Sequence, residues 1–159
     1  MSQARQIIPF SGVDEVRFGM TREEVAEVAG PADAVRNQRI RRITHERRGA
    51  TEYEFPDDTG LLRSITIFKP GRGKEIREQL DGAKYVPALC DGVEVLDKRG
   101  FQALFERERT VEGLGNTGVL FPELGILVAG FRRRVSKGRY VLAFPRERLE
   151  HYQENWLTV

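Results

Sequence analysis

The sequence predicts an α+β fold: a mostly antiparallel sheet with short helices packed on one face. Three observations carry that prediction. A short helix near the start has both of its ends written into the sequence, strand-like runs separated by Gly and Pro turns follow it, and the same order returns later in the chain. The 159 residues are read as a single domain, 1–159, with tandem halves at 7–80 and 91–145 and a C-terminal helix at 146–156.

The first helix is predicted over 22–29. In "VRFGMTREEVAEVAGPAD" (16–33), Thr21 is a good N-cap, and Glu24 three residues on completes a capping box. Met20 before the cap and Val25 form a hydrophobic staple, and Val25 and Val28 are expected to point inward together. Gly30 falls where a left-handed residue ends a helix, and Pro31 blocks continuation. Next, "RIRRITH" (39–45) and "TEYEF" (51–55) read as strands flanking a charged turn at Arg48 and Gly49, and "PDDTG" (56–60) makes a second turn. "LLRSITIF" (61–68) is the clearest strand, with Ile65 and Ile67 on one face and Ser64, Thr66 and Phe68 on the other. "KEIREQL" (74–80) follows as a short helix with Ile76 and Leu80 on one side.

The second half repeats this plan. Asp97 is a cap for a helix whose Phe101, Leu104 and Phe105 share a face. "GVLF" (118–121), "GILVAGF" (125–131) and "RYVLAF" (139–144) then read as strands. A final amphipathic segment spaces Leu149, Tyr152 and Trp156 at three and four residues, a core stripe against its own sheet.

Bulk properties narrow the function classes. With 40% hydrophobic and 31% charged residues, this is the composition of an ordinary soluble protein. No run approaches the ~20 apolar residues of a membrane span, and the start has neither an apolar signal region nor a lipid-attachment cysteine, so a cytoplasmic location and no membrane contact are expected. The single cysteine, Cys90, excludes an internal disulfide. Net charge is only +2, yet 36–48 holds six arginines against one acid, Glu46, and 131–139 adds four arginines and a lysine.

The stretch "GVDEVRFGMTREEVAEVAGPAD", through Phe18, Gly19, Met20, Thr21, Glu24, Val25, Gly30 and Pro31, resembles the opening motif of β-lactamase-inhibitor-protein-like domains. That group includes small outer-membrane-assembly lipoproteins. The resemblance covers about 20 residues of this chain; the rest follows only the order of helix, then strands. It implies a sheet with small helices on one face and the other face free for a protein partner. It implies binding uses: enzyme inhibition, assembly scaffolding or immunity to a bacterial toxin. It carries over no catalytic residue, and the absent signal and lipid cysteine depart from the lipoproteins.

Chemical motifs are sparse. "GLGNTG" (113–118) fits G-x-G-x-x-G, but a dinucleotide site needs a strand before it and a helix after, and here the order is reversed. "PGRGKE" (70–75) joins a strand to a helix without the spacing of a phosphate-binding loop, so a plain turn is the better reading. His45 and His151 have no neighbour at metal spacing, and Cys90 has no positioned base. No enzyme activity, metal or cofactor is expected. The arginines of 36–48 could instead neutralise nucleic-acid phosphates beside Tyr53 and Phe68, an alternative to protein binding weakened by the acids of "EYE".

A binding surface follows from strand alternation. Burying Ile65 and Ile67, Tyr53 and Phe55, and Leu142 and Phe144 leaves Ser64, Thr66, Phe68, Glu52, Glu54 and Arg139 outward, beside Arg132 and with Arg41 and Arg42 nearby. Those nine residues are the expected partner-binding set. The expected partner is a protein, a toxin or effector with an acidic patch, which makes this chain a cytoplasmic immunity protein; a nucleic-acid-binding module and an assembly scaffold are the alternatives.

Overall fold

The computed structural model describes residues 4–71, 74–112, 118–131 and 138–157, and for 155–157 the backbone alone. The fold is α+β, built on two mostly antiparallel sheets with a few short helices. The first half runs β1 (Arg5–Ile8), β2 (Gly12–Val13), β3 (Val16–Arg17), α1 (Arg22–Ala29), then the meander β4 (Ala34–Gln38), β5 (Ile43–Arg48), β6 (Thr51–Pro56) and β7 (Ser64–Lys69), then α2 (Lys74–Gln79). The second runs β8 (Ala88–Cys90), β9 (Val93–Glu94), α3 (Lys98–Arg107), then β10 (Val111–Glu112), β11 (Gly118–Phe121), β12 (Ile126–Ala129) and β13 (Arg139–Ala143). A 3-10 turn at 146–148 leads into α4 (Leu149–Leu157). Each half thus carries a four-stranded meander where three strands were expected, and opens with short strands the sequence reading passed over.

The meanders join into one eight-stranded antiparallel sheet, ordered β10-β11-β12-β13-β7-β6-β5-β4, with β13 and β7 meeting at its centre. The short strands form a second sheet, β3-β2-β1-β8-β9, closed by the parallel pair β1–β8. This small sheet, α1 and α3 cover the inner face of the large one. Val25, Phe101 and Leu104 pack there with Tyr53, Phe55, Ile65, Ile67, Phe121 and Val141 in one apolar core. Helices also lie on the outer face. Ile76 of α2 and Leu80 just after it cover Phe68, and Leu149 and Tyr152 of α4 cover Leu120, Leu127 and Phe144.

The Thr21 cap forms as predicted. Its side chain accepts from the Glu24 amide at 3.2 Å, and Glu24 Oε1 accepts from the Thr21 amide at 3.1 Å. Thr21→Ala is expected to lower stability by about 1 kcal/mol, read from the midpoint of chemical denaturation; an unmoved midpoint would remove the cap from the account. Gly30 has φ +84° but an extended ψ of 179°, because Pro31 disfavours the α-type ψ of the residue before it. Val25 is fully buried, while Val28 is 43% exposed and does not share the core stripe. An eight-residue helix offers the sheet one narrow contact line, and Val28 falls beside it.

The strand expected over 39–45 is displaced. Residues 39–42 are a turn, with Arg42 at φ +54°, and β5 begins at Ile43. The preceding strand, "AVRNQ", escaped notice because it is a sheet edge, exposed through residues 34–37 and without apolar alternation. Among the described residues no helix is long and apolar enough to cross a membrane.

Candidate protein-docking surface

The outer face between α2 and the β4–β5 hairpin is a polar strip. Cross-strand register places Arg36 opposite His45, Arg47 opposite Glu52, His45 opposite Glu54, Glu52 opposite Thr66 and Glu54 opposite Ser64, so all seven side chains project to this face. The charges close on one another. Arg36 Nη2 lies 3.3 Å from Glu52 Oε1, and His45 Nε2 is 3.8 Å from Glu52 and 3.7 Å from Glu54. Arg63 Nε and Ser64 Oγ donate to Glu54 Oε2 at 3.1 and 2.9 Å. Burial pushes the Glu54 carboxyl up, but the nearby His45, hydrogen bonds from Arg63 and Ser64 and the Arg63 charge outweigh it and hold the group at about 2.

The expected partner-binding residues therefore separate. Glu52 and Glu54 lie on the predicted face, but their oxygens are engaged within the strip. Ser64 is on that face and buried, and Thr66 is half-buried. Phe68 also projects there, yet it is only 6% exposed because α2 covers it, and its ring lies tilted 5.9 Å from that of Tyr140. Arg139 is on the opposite face. It shares that side with Val141 and Ala143, its guanidinium sits 4.2 Å over Phe131, and its Nη1 donates to the Leu96 carbonyl. Both depart from simple alternation because β7 and β13 are covered on two faces, and a doubly covered strand loses its inside-outside alternation. Arg132, with 133–137, lies outside the described residues.

Arg41 and Arg42 stay exposed, at the hairpin tip and not on a sheet face. Between Arg39 and these two stands Ile40, wholly exposed at 100%. No ion pair holds Arg39, Arg41 or Arg42 among the described residues. By contrast Arg47 binds Asp81 and the Gly49 carbonyl, and Arg48 lies 3.0 Å from Glu46. Three of the six arginines in 36–48 are thus already paired with carboxylates. Ile40 was missed because it was assigned to a strand; a lone apolar residue among arginines that break the alternation was the available signal.

Compared with known protein families, curated proteins and solved structures, this chain matches none.

The remaining chemical candidates do not assemble into a reactive site among the described residues. Cys90 is fully buried in β8, and burial pushes its thiol up to about 12, which keeps it protonated and non-nucleophilic near neutral pH. His151 is in α4, edge-on to Tyr152 and close enough to Arg63 and Glu54 of the strip to feel their charges. No group of three His, Cys, Asp or Glu side chains arranged to hold a metal occurs among the described residues. Residues 113–117, all of the first Gly-rich motif but its last residue, and 72–73, the middle of the second, lie outside the described residues; Gly118 opens a strand, not a helix.

Proposed function

We propose that this chain is a non-enzymatic protein-binding domain, and within that class a cytoplasmic immunity protein that neutralises a secreted bacterial toxin or effector. The observation that carries the binding reading is the hairpin tip: Ile40 fully exposed among three arginines without ion-pair partners among the described residues. Exposing an isoleucine to water forgoes roughly 1.5–3 kcal/mol available on burial, and arginine forks onto carboxylates with two parallel hydrogen bonds. An apolar anchor ringed by guanidinium groups therefore fits a partner whose acidic patch surrounds a shallow apolar pocket. The immunity assignment rests further on the resemblance of residues 12–33 to β-lactamase-inhibitor-protein-like domains. Nucleic acid is the weaker reading, since half of the arginine cluster is spent on internal carboxylates.

The test begins with copurification from native cells and continues with calorimetric titration against the captured protein. Reversing Arg41 and Arg42 together to Glu is expected to cost about 2 kcal/mol of binding energy, with circular dichroism unchanged because both side chains lie outside the core. Unchanged affinity in the folded double variant would remove the tip from the interface. Steeply salt-dependent capture of nucleic acid in place of a protein would overturn the reading.

A further inference from the structure

We propose that the free edge of β4 receives an extended segment of a protein partner as a further strand of the large sheet, and that this segment alternates acidic and apolar side chains. This mode of contact rests on the reading of the chain as a protein-binding domain, and gives the partner a conformation and a side-chain pattern.

Backbone alternation fixes which groups of β4 face outward. The Arg63 amide donates to the Glu54 carbonyl at 2.9 Å, so the backbone of Glu54 points to β7. Successive residues of an antiparallel strand turn their backbone groups to opposite sides. Tyr53 and Phe55 therefore bond to their β5 partners Glu46 and Thr44, which leaves Ile43 and His45 turned toward β4. Pro56, which has no N–H, stands opposite Ile43, where this alternation requires no bond. Gln38 and Arg36, the partners of Ile43 and His45, are thus bonded to β5, and the N–H and C=O groups of Val35 and Asn37 point away from the sheet.

Sheet edges are ordinarily blunted by shortness, proline, lysine, an inward-pointing charge or a covering element. Among the described residues the other edge strands, β3, β9 and β10, have two residues each, and Val111 of β10 packs in the cluster that α4 covers. β4 has five residues and neither proline nor lysine, and 34–37 are exposed. Its side chains on the inner side, Val35 and Asn37, are uncharged, and Val35 is 51% exposed. Asn37 accepts from Thr44 Oγ1 across the pair with β5. The one charge of the strand, Arg36, points to the outer side, where a single Nη faces Glu52.

These features set the chemistry of the incoming strand. Its residue opposite Val35 shares that face and gains by being apolar, while the residues on either side share the outer face with Arg36, which favours acids. Beyond Gln38 the chain leads to Arg39, Arg41 and Arg42, exposed and without ion-pair partners among the described residues, so the field along the edge has one sign. In strand addition the main-chain bonds supply affinity and alternate side chains supply specificity. A second copy of this chain fits less well. Pairing β4 with its own counterpart so that Val35 meets Asn37 sets Arg36 opposite Arg36, and like charges directly opposite are destabilising.

Heteronuclear NMR with amide hydrogen exchange tests this on the whole chain, using a short capped peptide that alternates Glu and Val. The peptide should move the signals of β4 saturably and slow exchange of the Val35 and Asn37 amides, while those of Arg36 and Gln38, already bonded to β5, change little. N-methylation of the peptide's valines, whose amides face β4, should weaken binding at least about tenfold, and Lys in place of Glu should do the same. Val35→Pro removes an outward N–H and no bond to β5, so circular dichroism should be unchanged while affinity falls by a similar factor. Val35→Asp, which sets a charge against the peptide's valine, should weaken it likewise. Absence of saturable binding, equal binding of the N-methylated peptide, or protection without the Val35 and Asn37 pattern would overturn the proposal. Slow exchange of those two amides in the free protein, sedimenting as a dimer, would assign the edge to a second copy and overturn it too. Peptide binding with the stated pattern supports the edge site whether or not the captured protein depends on the hairpin tip. A captured protein that loses affinity on reversal of Arg41 and Arg42, yet binds Val35→Pro at full strength, would leave the protein-binding reading standing and overturn the added strand.

Discussion

Gly100→Ala is expected to destabilise the protein by about 3 kcal/mol or more, the upper range for overpacking against atoms that cannot yield. Gly100 lies in the first turn of α3, where alanine would ordinarily be preferred. A Cβ built there would stand 1.9 Å from the Glu94 carbonyl oxygen and 3.1 Å from Val93 Cγ1. The obstacle is backbone of β9, so relief requires moving the helix that seats Phe101 and Leu104 in the core. Urea denaturation of wild type and variant would measure the loss. A shift below about 1 kcal/mol would mean that α3 stands farther from β9 than described.

Acid should remove a comparable amount through Glu54. Its carboxyl is held at about 2 against an ordinary 4.5. A depressed native pKa contributes stability above the unfolded value, and that contribution is lost as pH falls through the interval toward the native one. The difference corresponds to on the order of 2–3 kcal/mol for this partly buried group. Stability should therefore fall steeply between about pH 4.5 and 2. Glu54→Gln should flatten that interval while lowering stability near neutrality, because Arg63 loses its counter-charge. Parallel pH profiles for the two proteins would show that the strip does not couple to folding.

Local signals carried most of the fold. The Thr21–Glu24 box, the Asp97 cap and the apolar spacing of Ile76 and Leu80 act within a few residues, and each is where the sequence placed it. Strands covered on one face were equally clear: Tyr53 and Phe55 go in, Glu52 and Glu54 go out. What could not be read were effects of distant elements. The two- and three-residue strands of the small sheet are too short for any periodicity and exist because β1 finds β8. Phe68 was given to the open face because nothing local says that α2 folds back over it. Arg41 and Arg42 were rightly exposed but placed on a strand, since "RNQRIRR" contains neither Gly nor Pro to announce its turn. Ile40 went unnoticed for the same reason.

The two pairings that join the halves also order events in time. Arg5 lies beside Ala88, and Lys69 beside Arg139, so neither sheet can be completed from the first half alone. During synthesis β7 is made with Ile65, Ile67 and Phe68 along a strand that has β6 on one side but whose other neighbour, β13, does not yet exist. Contacts so distant in sequence slow folding, because the intervening chain must be closed before they form. Over that interval the bare edge of β7 can meet the same edge of another nascent chain. The seam at the centre of the large sheet is thus where folding within one molecule competes with exchange of halves between two.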